Sequence, residues 1–146
     1  MTATCTAAAA QEAKLTDHVN PFIGSSNYGT TNPGALCPNG MMSVTPFNVM
    51  GSEMNRYDKD SRWWSTPYSS DNKYFTGFSH INLSGVGCPE VGLALTMPTS
   101  GPLMVDHHVY GSEYTSEVAE PGYYGCELLA HGIKAEVSAT TRTSIE

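Results

Sequence analysis

The sequence predicts an all-β domain. Charged residues make up only 14% of the 146 residues, whereas there are 14 glycines, 9 prolines and 8 tyrosines. This balance is typical of turn-rich β proteins rather than of helical bundles. An alternation of apolar and polar residues near the C-terminal end and several strong turn signals favour the same fold class. The length is that of one domain.

The clearest strand is predicted for residues 133–139. Apolar and polar side chains alternate there, as in a strand with one buried face, and the apolar ones are Ile133, Ala135, Val137 and Ala139. The preceding residues 123–129 are rich in β-forming side chains, and residues 130–132 supply a short loop with a glycine. The two segments are therefore predicted to form a β-hairpin.

Other segments have less regular patterns. Residues 93–97 are almost wholly apolar and are closed by Pro98, which predicts a short strand buried on both faces. Residues 41–46 and 105–110 are further strand candidates. The Glu-Pro-Gly sequence at residues 120–122 is a strong turn signal.

Two long connections, residues 24–40 and 48–76, are rich in glycine, proline and asparagine. The second also contains five aromatic residues, Tyr57, Trp63, Trp64, Tyr68 and Tyr74. Because disordered segments are poor in aromatic residues, we expect this connection to be ordered against something. The Trp63-Trp64 pair has two interpretations of equal weight: it stacks on a sugar, or it covers the core or a neighbouring domain.

Charge and hydropathy exclude several function classes. The formal net charge is −7 and the seven Lys and Arg residues are scattered, so a nucleic acid is not expected as a partner. No stretch approaches the roughly 20 apolar residues of a membrane-spanning helix. Residues 1–14 are interpreted as the remnant of a signal peptide or as a disordered leader, and residues 15–146 as the folded domain.

The four cysteines, Cys5, Cys37, Cys88 and Cys126, are too far apart in sequence for a zinc knuckle or a redox pair. If Cys5 leaves with a signal peptide, three cysteines remain and at least one must stay free. The favoured interpretation is that the thiols are free and act as small buried hydrophobic groups.

No pair of carboxylates stands out as a general acid and base, although Asp58, Asp60, Asp71 and Glu90 lie in predicted loops. His80 lies in an apolar context before a glycine-rich turn. It is interpreted first as a buried, hydrogen-bonded structural residue, and alternatively as a ligand contact. The adjacent His107 and His108 would face opposite sides of a strand and could not bind one metal ion together.

Several short phrases occur in an order that resembles one protein family. They are VNPFIG at 19–24, NPGA at 32–35, PNGM at 38–41, GFSH at 77–80, LSGVGC at 83–88, MP at 97–98, PGYY at 121–124, GIKAE at 132–136 and ATTR at 139–142. Together they resemble the N-terminal domain of glycoside hydrolase family 92, from Leu15 to Glu146. Each phrase is weak alone, but their common order makes the resemblance specific.

The resemblance implies an antiparallel β-sandwich of the galactose-mutarotase type. It also implies a secreted or periplasmic, calcium-dependent, inverting exo-α-mannosidase acting on mannose-containing oligosaccharides or N-glycans. In this family a separate helical domain supplies the acid, the base and most calcium ligands, so this chain alone is expected to be inactive. By analogy, Phe22 and Gly24 would contact the sugar in the −1 subsite and Cys88 would lie near the +1 subsite. His80 and Glu90 complete the predicted substrate-binding set.

Some positions depart from the family pattern. Asn39 stands where phenylalanine is usual, Pro89-Glu90 where Gly-Asp is frequent, and Leu93 where a polar residue is common. The family domain also continues with further strands, so the sandwich is expected to be incomplete at its C-terminal end. Two alternatives to the enzyme remain: a non-catalytic carbohydrate-binding or interaction module, and a truncated reading frame without its own function.

Overall fold

The computed structural model describes residues 14–26, 29–49, 54–55, 66–82 and 92–146. Within these ranges the chain consists mostly of antiparallel strands and connections, which confirms the all-β fold class. The strands are β1 (Ala35–Leu36), β2 (Ser43–Phe47), β3 (Tyr74–Phe75), β4 (Gly77–His80), β5 (Ala94–Thr96), β6 (Ser112–Glu120), β7 (Tyr123–Leu128), β8 (Ile133–Ala139) and β9 (Ser144–Ile145). The helical elements in these ranges are a 3₁₀ turn at Leu15–His18 and the four-residue helix α1 at His107–Tyr110.

The strands form two sheets that enclose one core. The first sheet has the order β1-β2-β4-β5 and the second the order β3-β6-β7-β8-β9, with antiparallel pairing throughout. The core side chains are Ala35, Val44 and Phe78 from the first sheet, Phe75, Tyr114, Tyr124, Cys126, Leu128, Ala135, Val137 and Ala139 from the second, and Tyr68 from a connection. This arrangement is the predicted sandwich.

The hairpin predicted at the C-terminal end is confirmed. β7 pairs with β8 in continuous register from Tyr123 opposite Ser138 to Leu128 opposite Ile133. Gly132 in its loop has φ 60°, and Gly122 in the β6–β7 turn has φ 83°. Glycine adopts this left-handed conformation without the steric cost that a Cβ brings. The turn signals at both positions are therefore correct.

β6 contains a β-bulge and was not predicted. Thr115 pairs with Glu127, but the next pair is Val118 with Gly125, so two residues of β6 lie opposite one residue of β7. Ser116, within the bulge, has φ 54°. The bulge interrupts the alternation of side chains along the strand and turns Glu117 towards the core.

The burial predicted for residues 93–97 is wrong, although a strand does form there. β5 covers Ala94–Thr96, and all three residues are exposed. β5 pairs with β4 on one side and occupies the edge of the first sheet as far as the described residues show. An apolar composition alone therefore did not indicate burial. The strand candidate at 41–46 is confirmed as β2, which is buried on both faces as far as Pro46.

The strand predicted at residues 105–110 is wrong, because the helix α1 begins at His107. The Asp106 side chain accepts a 3.0 Å hydrogen bond from the backbone N–H of His108 and caps the helix. His107 and His108 are therefore neighbours on a helical turn, and the prediction that they face opposite sides of a strand fails with it.

The described cysteines, Cys37 and Cys126, are free thiols. Cys126 is buried in the core, as the favoured interpretation expected, and Cys37 donates to the Ala139 carbonyl oxygen at 3.2 Å. Cys5 lies outside the described residues, as do residues 1–13 in general, so the interpretation of residues 1–14 stays a prediction. In the described ranges, no helix has the length and apolar character needed to cross a membrane.

The connection at 48–76 is ordered around Tyr68, which is fully buried in the core. This confirms the expectation for that residue, while Tyr57, Trp63 and Trp64 lie outside the described residues. In the earlier connection, Asn39 has φ 58°, a conformation that asparagine tolerates better than larger side chains.

Candidate functional site

Phe22 and Gly24 lie in a tight turn formed by residues 22–25, called here the Phe22 turn. The backbone N–H of Ser25 donates to the Phe22 carbonyl oxygen at 3.2 Å, and the Ser25 hydroxyl donates to the same oxygen at 2.7 Å. Before the turn, Asn20 Oδ1 accepts a 3.0 Å hydrogen bond from the Phe22 N–H. Gly24 has φ 79°, which explains why glycine stands there.

The Phe22 turn presents an aromatic ring beside a residue without a side chain. Phe22 is partly buried and packs against the core, whereas Gly24 is exposed. The ring is thus held in place from one side. An aromatic surface next to a bare Cα lets the apolar face of a ring-shaped ligand approach closely.

The 66–72 segment is hydrogen-bonded to the Phe22 turn. The Ser70 N–H donates to the Ser25 carbonyl oxygen at 2.8 Å. Asn48, fully buried just after β2, fixes this segment, because its Oδ1 accepts from the Ser69 N–H at 2.8 Å and its Nδ2 donates to the Ser69 carbonyl oxygen at 2.8 Å. Nδ2 also donates to the Tyr114 hydroxyl at 2.7 Å, which connects the network to β6.

His80 lies on β4, which pairs with β2. It pairs with Val44, four residues before Asn48, a separation of roughly 13 Å along a strand. No hydrogen bond or ion pair within the described ranges joins His80 to the Phe22 turn. In the part of the chain that the structure describes, His80 and the Phe22 turn are thus not in direct hydrogen-bonding contact.

The ring nitrogens of His80 both have protein partners. Nδ1 lies 3.2 Å from the Ala94 carbonyl oxygen, and Nε2 contacts the Glu146 carboxylate. The Thr96 hydroxyl donates to the other Glu146 oxygen at 2.8 Å. With 15% of its side chain exposed, His80 fits the interpretation as a hydrogen-bonded structural residue, and its role as a ligand contact stays a prediction.

The remaining predicted site residues, Cys88 and Glu90, lie outside the described residues. The loop carboxylates Asp58 and Asp60 do as well, whereas Asp71 is described and exposed.

Glu117 is a partly buried carboxylate that the sequence analysis missed. Its side chain is 16% exposed, and its Oε1 accepts hydrogen bonds from the hydroxyls of Tyr68 at 2.8 Å and Tyr124 at 2.9 Å. No sequence signal marked it, because it follows the bulge in a strand without regular alternation. Both tyrosine hydroxyls donate to the same carboxylate oxygen, so Glu117 has a structural role.

Burial shifts the titration of the groups around Glu117. It raises the pKa of Tyr68 and Tyr124 well above the usual range, and nearby ionisable groups, Glu117 among them, add to the effect. Burial also raises the pKa of the Cys126 thiol from 9.0 to about 12. These groups are neutral at physiological pH, so they offer neither a nucleophile nor a general base.

Calcium, which the resemblance implies, is normally held by six to eight oxygen ligands. Among the residues that the structure describes, no group of three or more His, Cys, Asp or Glu side chains is placed to hold a metal ion. No described residue is therefore assigned as a calcium ligand, and the calcium expected from the resemblance stays a prediction.

Comparison with protein families gives a match that covers most of the chain. The family model for the glycosyl hydrolase family 92 N-terminal domain matches residues 18–146. A relative from Arthroderma benhamiae, described as an uncharacterized secreted glycosidase, is 27% identical over 150 residues. That match covers 94% of this chain and 18% of the relative.

Solved structures show the same similarity. The family 92 α-mannosidase from Bacteroides thetaiotaomicron has a TM-score of 0.75 and 34% identity, over 90% of this chain and 18% of the enzyme. Its complex with mannoimidazole has a TM-score of 0.75 and 33% identity, over 90% of this chain and 17% of the enzyme. The chain thus spans less than a fifth of the length of these relatives.

Proposed function

The chain belongs to glycosyl hydrolase family 92, of which it is the N-terminal domain, and on that premise we propose that it forms a substrate-orienting wall of an exo-α-mannosidase. The substrates would be mannose-containing oligosaccharides or N-glycans. The mannosidase relatives, one of them with bound mannoimidazole, support this substrate class. The description of the fungal relative as secreted supports a secreted or periplasmic location.

The observation that carries the proposal is the geometry of the Phe22 turn. It combines a ring fixed against the core with an exposed glycine, and all four carbonyl oxygens of the turn accept hydrogen bonds from within the domain. A fixed wall of this kind can orient a sugar ring with little further loss of conformational entropy in the protein.

The chemistry of the proposed enzyme is a single displacement. A carboxylic acid protonates the leaving oxygen, and a second carboxylate, about 6.5 to 9.5 Å away, activates a water molecule on the opposite face of the sugar. We assign neither group to a described residue, since the partly buried carboxylate of Glu117 is held by two tyrosine hydroxyls. The proposal therefore places the acid, the base and the calcium ligands in a further, helical domain of the whole enzyme.

A non-catalytic carbohydrate-binding module is the alternative. One observation disfavours a free-standing module: Leu93 and Leu95, two residues apart at β5, are 77% and 44% exposed. Neighbouring exposed leucines at a sheet edge are more typical of a surface that another domain covers.

The proposal is tested with the whole enzyme that contains this domain. Replacing Phe22 with leucine keeps an apolar side chain but removes the ring face. It should lower kcat/KM for an aryl α-mannoside by about twofold to tenfold, because aromatic stacking contributes about 0.5 to 1.5 kcal/mol. Leu129→Ala, at an exposed position in the β7–β8 loop, is the control and should leave kcat/KM unchanged.

The melting temperature of each variant is measured together with kcat/KM, to show that the variant is folded. If Phe22→Leu is folded and has the kinetics of the unchanged enzyme, the substrate wall does not include Phe22. Nuclear magnetic resonance of the first-formed product should show an inverted anomer. The isolated 146-residue chain should show no turnover; binding of mannose by this chain, combined with no hydrolysis by the whole protein, would favour the carbohydrate-binding module.

A further inference from the structure

We propose that Thr31 is a positioning residue, which holds the Phe22 turn in the geometry that a sugar requires. The inference rests on the proposed function of that turn. Thr31 lies in the connection that leads into β1, outside the turn itself, and no motif in the sequence distinguished it.

Thr31 contacts the Phe22 turn at two consecutive carbonyl groups. Its hydroxyl donates a 2.6 Å hydrogen bond to the Ile23 carbonyl oxygen, and its backbone N–H donates to the Gly24 carbonyl oxygen at 3.3 Å. Thr31 thus fixes the orientation of both peptide groups that flank the Gly24 Cα. Rotation of either group would break one of these bonds.

The side chain of Thr31 also fills the space beside Gly24. A Cβ placed on Gly24 would lie 2.9 Å from Thr31 Oγ1 and 3.3 Å from Thr31 Cγ2. The threonine is therefore packed directly against the glycine. It blocks movement of the Gly24 backbone in that direction, while Gly24 stays exposed.

The residues around Thr31 join it to the rigid part of the fold. The Thr66 hydroxyl donates to the Thr31 carbonyl oxygen at 3.3 Å, and the next residue, Asn32, accepts at Oδ1 from the Thr45 hydroxyl at 3.1 Å. Thr45 is a fully buried residue of β2. Thr31 is thus a rigid point of contact between the sheet and the Phe22 turn.

Thr31 itself is exposed, so the loss of its hydroxyl should have little effect on folding. Its effect on catalysis should be larger, since displacement of a substrate-contacting group by about 1 Å can cost about a hundredfold in rate. This difference separates a positioning role from a purely structural one.

The test compares Thr31→Val with Thr31→Ser in the whole enzyme. Valine has nearly the same shape but no hydroxyl, whereas serine keeps the donor. We expect Thr31→Val to lower kcat/KM for an aryl α-mannoside about tenfold or more, with most of the loss in kcat. Thr31→Ser should stay within about threefold of the unchanged enzyme, and both melting temperatures should stay within about 2 °C of it.

Thr140→Val is the matched control. Thr140 is also exposed, and its hydroxyl hydrogen-bonds within a turn, at 3.3 Å from the Thr143 carbonyl oxygen, but that turn joins β8 to β9. This variant should have unchanged kinetics. The inference is overturned if Thr31→Val retains full activity, if Thr31→Ser loses as much as Thr31→Val, or if Thr140→Val loses as much.

Phe22→Leu distinguishes failure of this inference from failure of the proposed function. If Phe22→Leu lowers kcat/KM and Thr31→Val does not, the substrate wall stands and Thr31 has no positioning role. If neither variant changes the kinetics, the substrate wall is wrong, and the role of Thr31 with it. A loss confined to Thr31→Val would overturn the inference too, because the effect would not act through the Phe22 turn.

Discussion

The hydroxyl of Tyr68 donates a 2.8 Å hydrogen bond to Oε1 of Glu117 and thereby joins the 66–72 segment to β6. Tyr124 of β7 donates to the same oxygen at 2.9 Å. Lys73 is 3.9 Å from the other carboxylate oxygen but is mostly exposed, so it contributes little. The two tyrosines thus use a partly buried charge to connect a loop with two strands of the second sheet.

Replacing Glu117 with glutamine should lower the free energy of unfolding by about 1 to 2 kcal/mol. Hydrogen bonds to a charged acceptor contribute about 1.5 to 3 kcal/mol, and those between neutral groups about 0.5 to 1.5 kcal/mol. Urea unfolding measures the change. Glu113→Gln, at an exposed position of the same strand, should stay within about 0.5 kcal/mol of the unchanged protein. Equal stability of the two variants would show that the charge at residue 117 contributes nothing.

Stability should fall as the pH rises above about 9. The ordinary pKa of the Cys126 thiol is 9.0, and burial raises it to about 12 in the folded state. Above pH 9 the unfolded chain therefore loses this proton while the folded protein keeps it, which favours unfolding. The contribution of the thiol is complete below pH 9 and is lost progressively towards pH 12.

Cys126→Ala should delay this loss of stability. The raised pKa values of Tyr68, Tyr114 and Tyr124 would then cause the decline, which begins near their ordinary value of 10.0. Urea midpoints at intervals from pH 7 to 10.5 give the two profiles. Parallel profiles between pH 9 and 10 would mean that the thiol is not the first group to titrate.

Leu128→Ala and Leu129→Ala should differ strongly although the residues are adjacent. Leu128 is 1% exposed in the core and Leu129 is 56% exposed. Removal of a buried leucine side chain costs about 2 to 5 kcal/mol, whereas exposed positions usually change stability by less than about 0.5 kcal/mol. Urea unfolding of both variants checks the pair. Similar losses would contradict the inward orientation of Leu128.

Gly132→Ala should destabilise the β7–β8 hairpin by about 1 kcal/mol through backbone conformation alone. Gly132 has φ 60°, and no heavy atom lies within 4 Å of a Cβ placed there. Asparagine tolerates this conformation better, so Gly132→Asn should cost less than Gly132→Ala. Thermal unfolding of the two variants gives the comparison, and a larger loss for asparagine would point to an unseen steric conflict.

Prediction from sequence succeeded where one physical pattern dominates. β8 has a strict alternation because one face is buried, and Gly132 marks its turn because few other residues adopt that φ. Prediction failed at β5, because apolar residues at a sheet edge have the same composition as buried ones. It failed at α1 because a single cap, from Asp106, decides between a helical turn and a strand in so short a segment.

The candidate site was only partly accessible to sequence. The resemblance pointed to Phe22 and Gly24, and these predictions still await kinetic tests. Thr31 and Asn48 support the Phe22 turn through contacts between segments that are distant in sequence, so no local pattern could reveal them. His80 lies opposite Val44 of β2, a position that only the strand register shows.

The bulge in β6 lets the strand hold one residue more than a regular strand would between two core-facing positions. Before it Tyr114 faces the core, and after it Ala119 does, an odd number of residues later. Deletion of one residue between them would leave a separation of four, which a regular strand without a bulge places on the same face. A missing codon at this point would therefore remove the bulge and still keep both positions in the core, so homologous domains should alternate between a spacing of five residues with the bulge and of four without it.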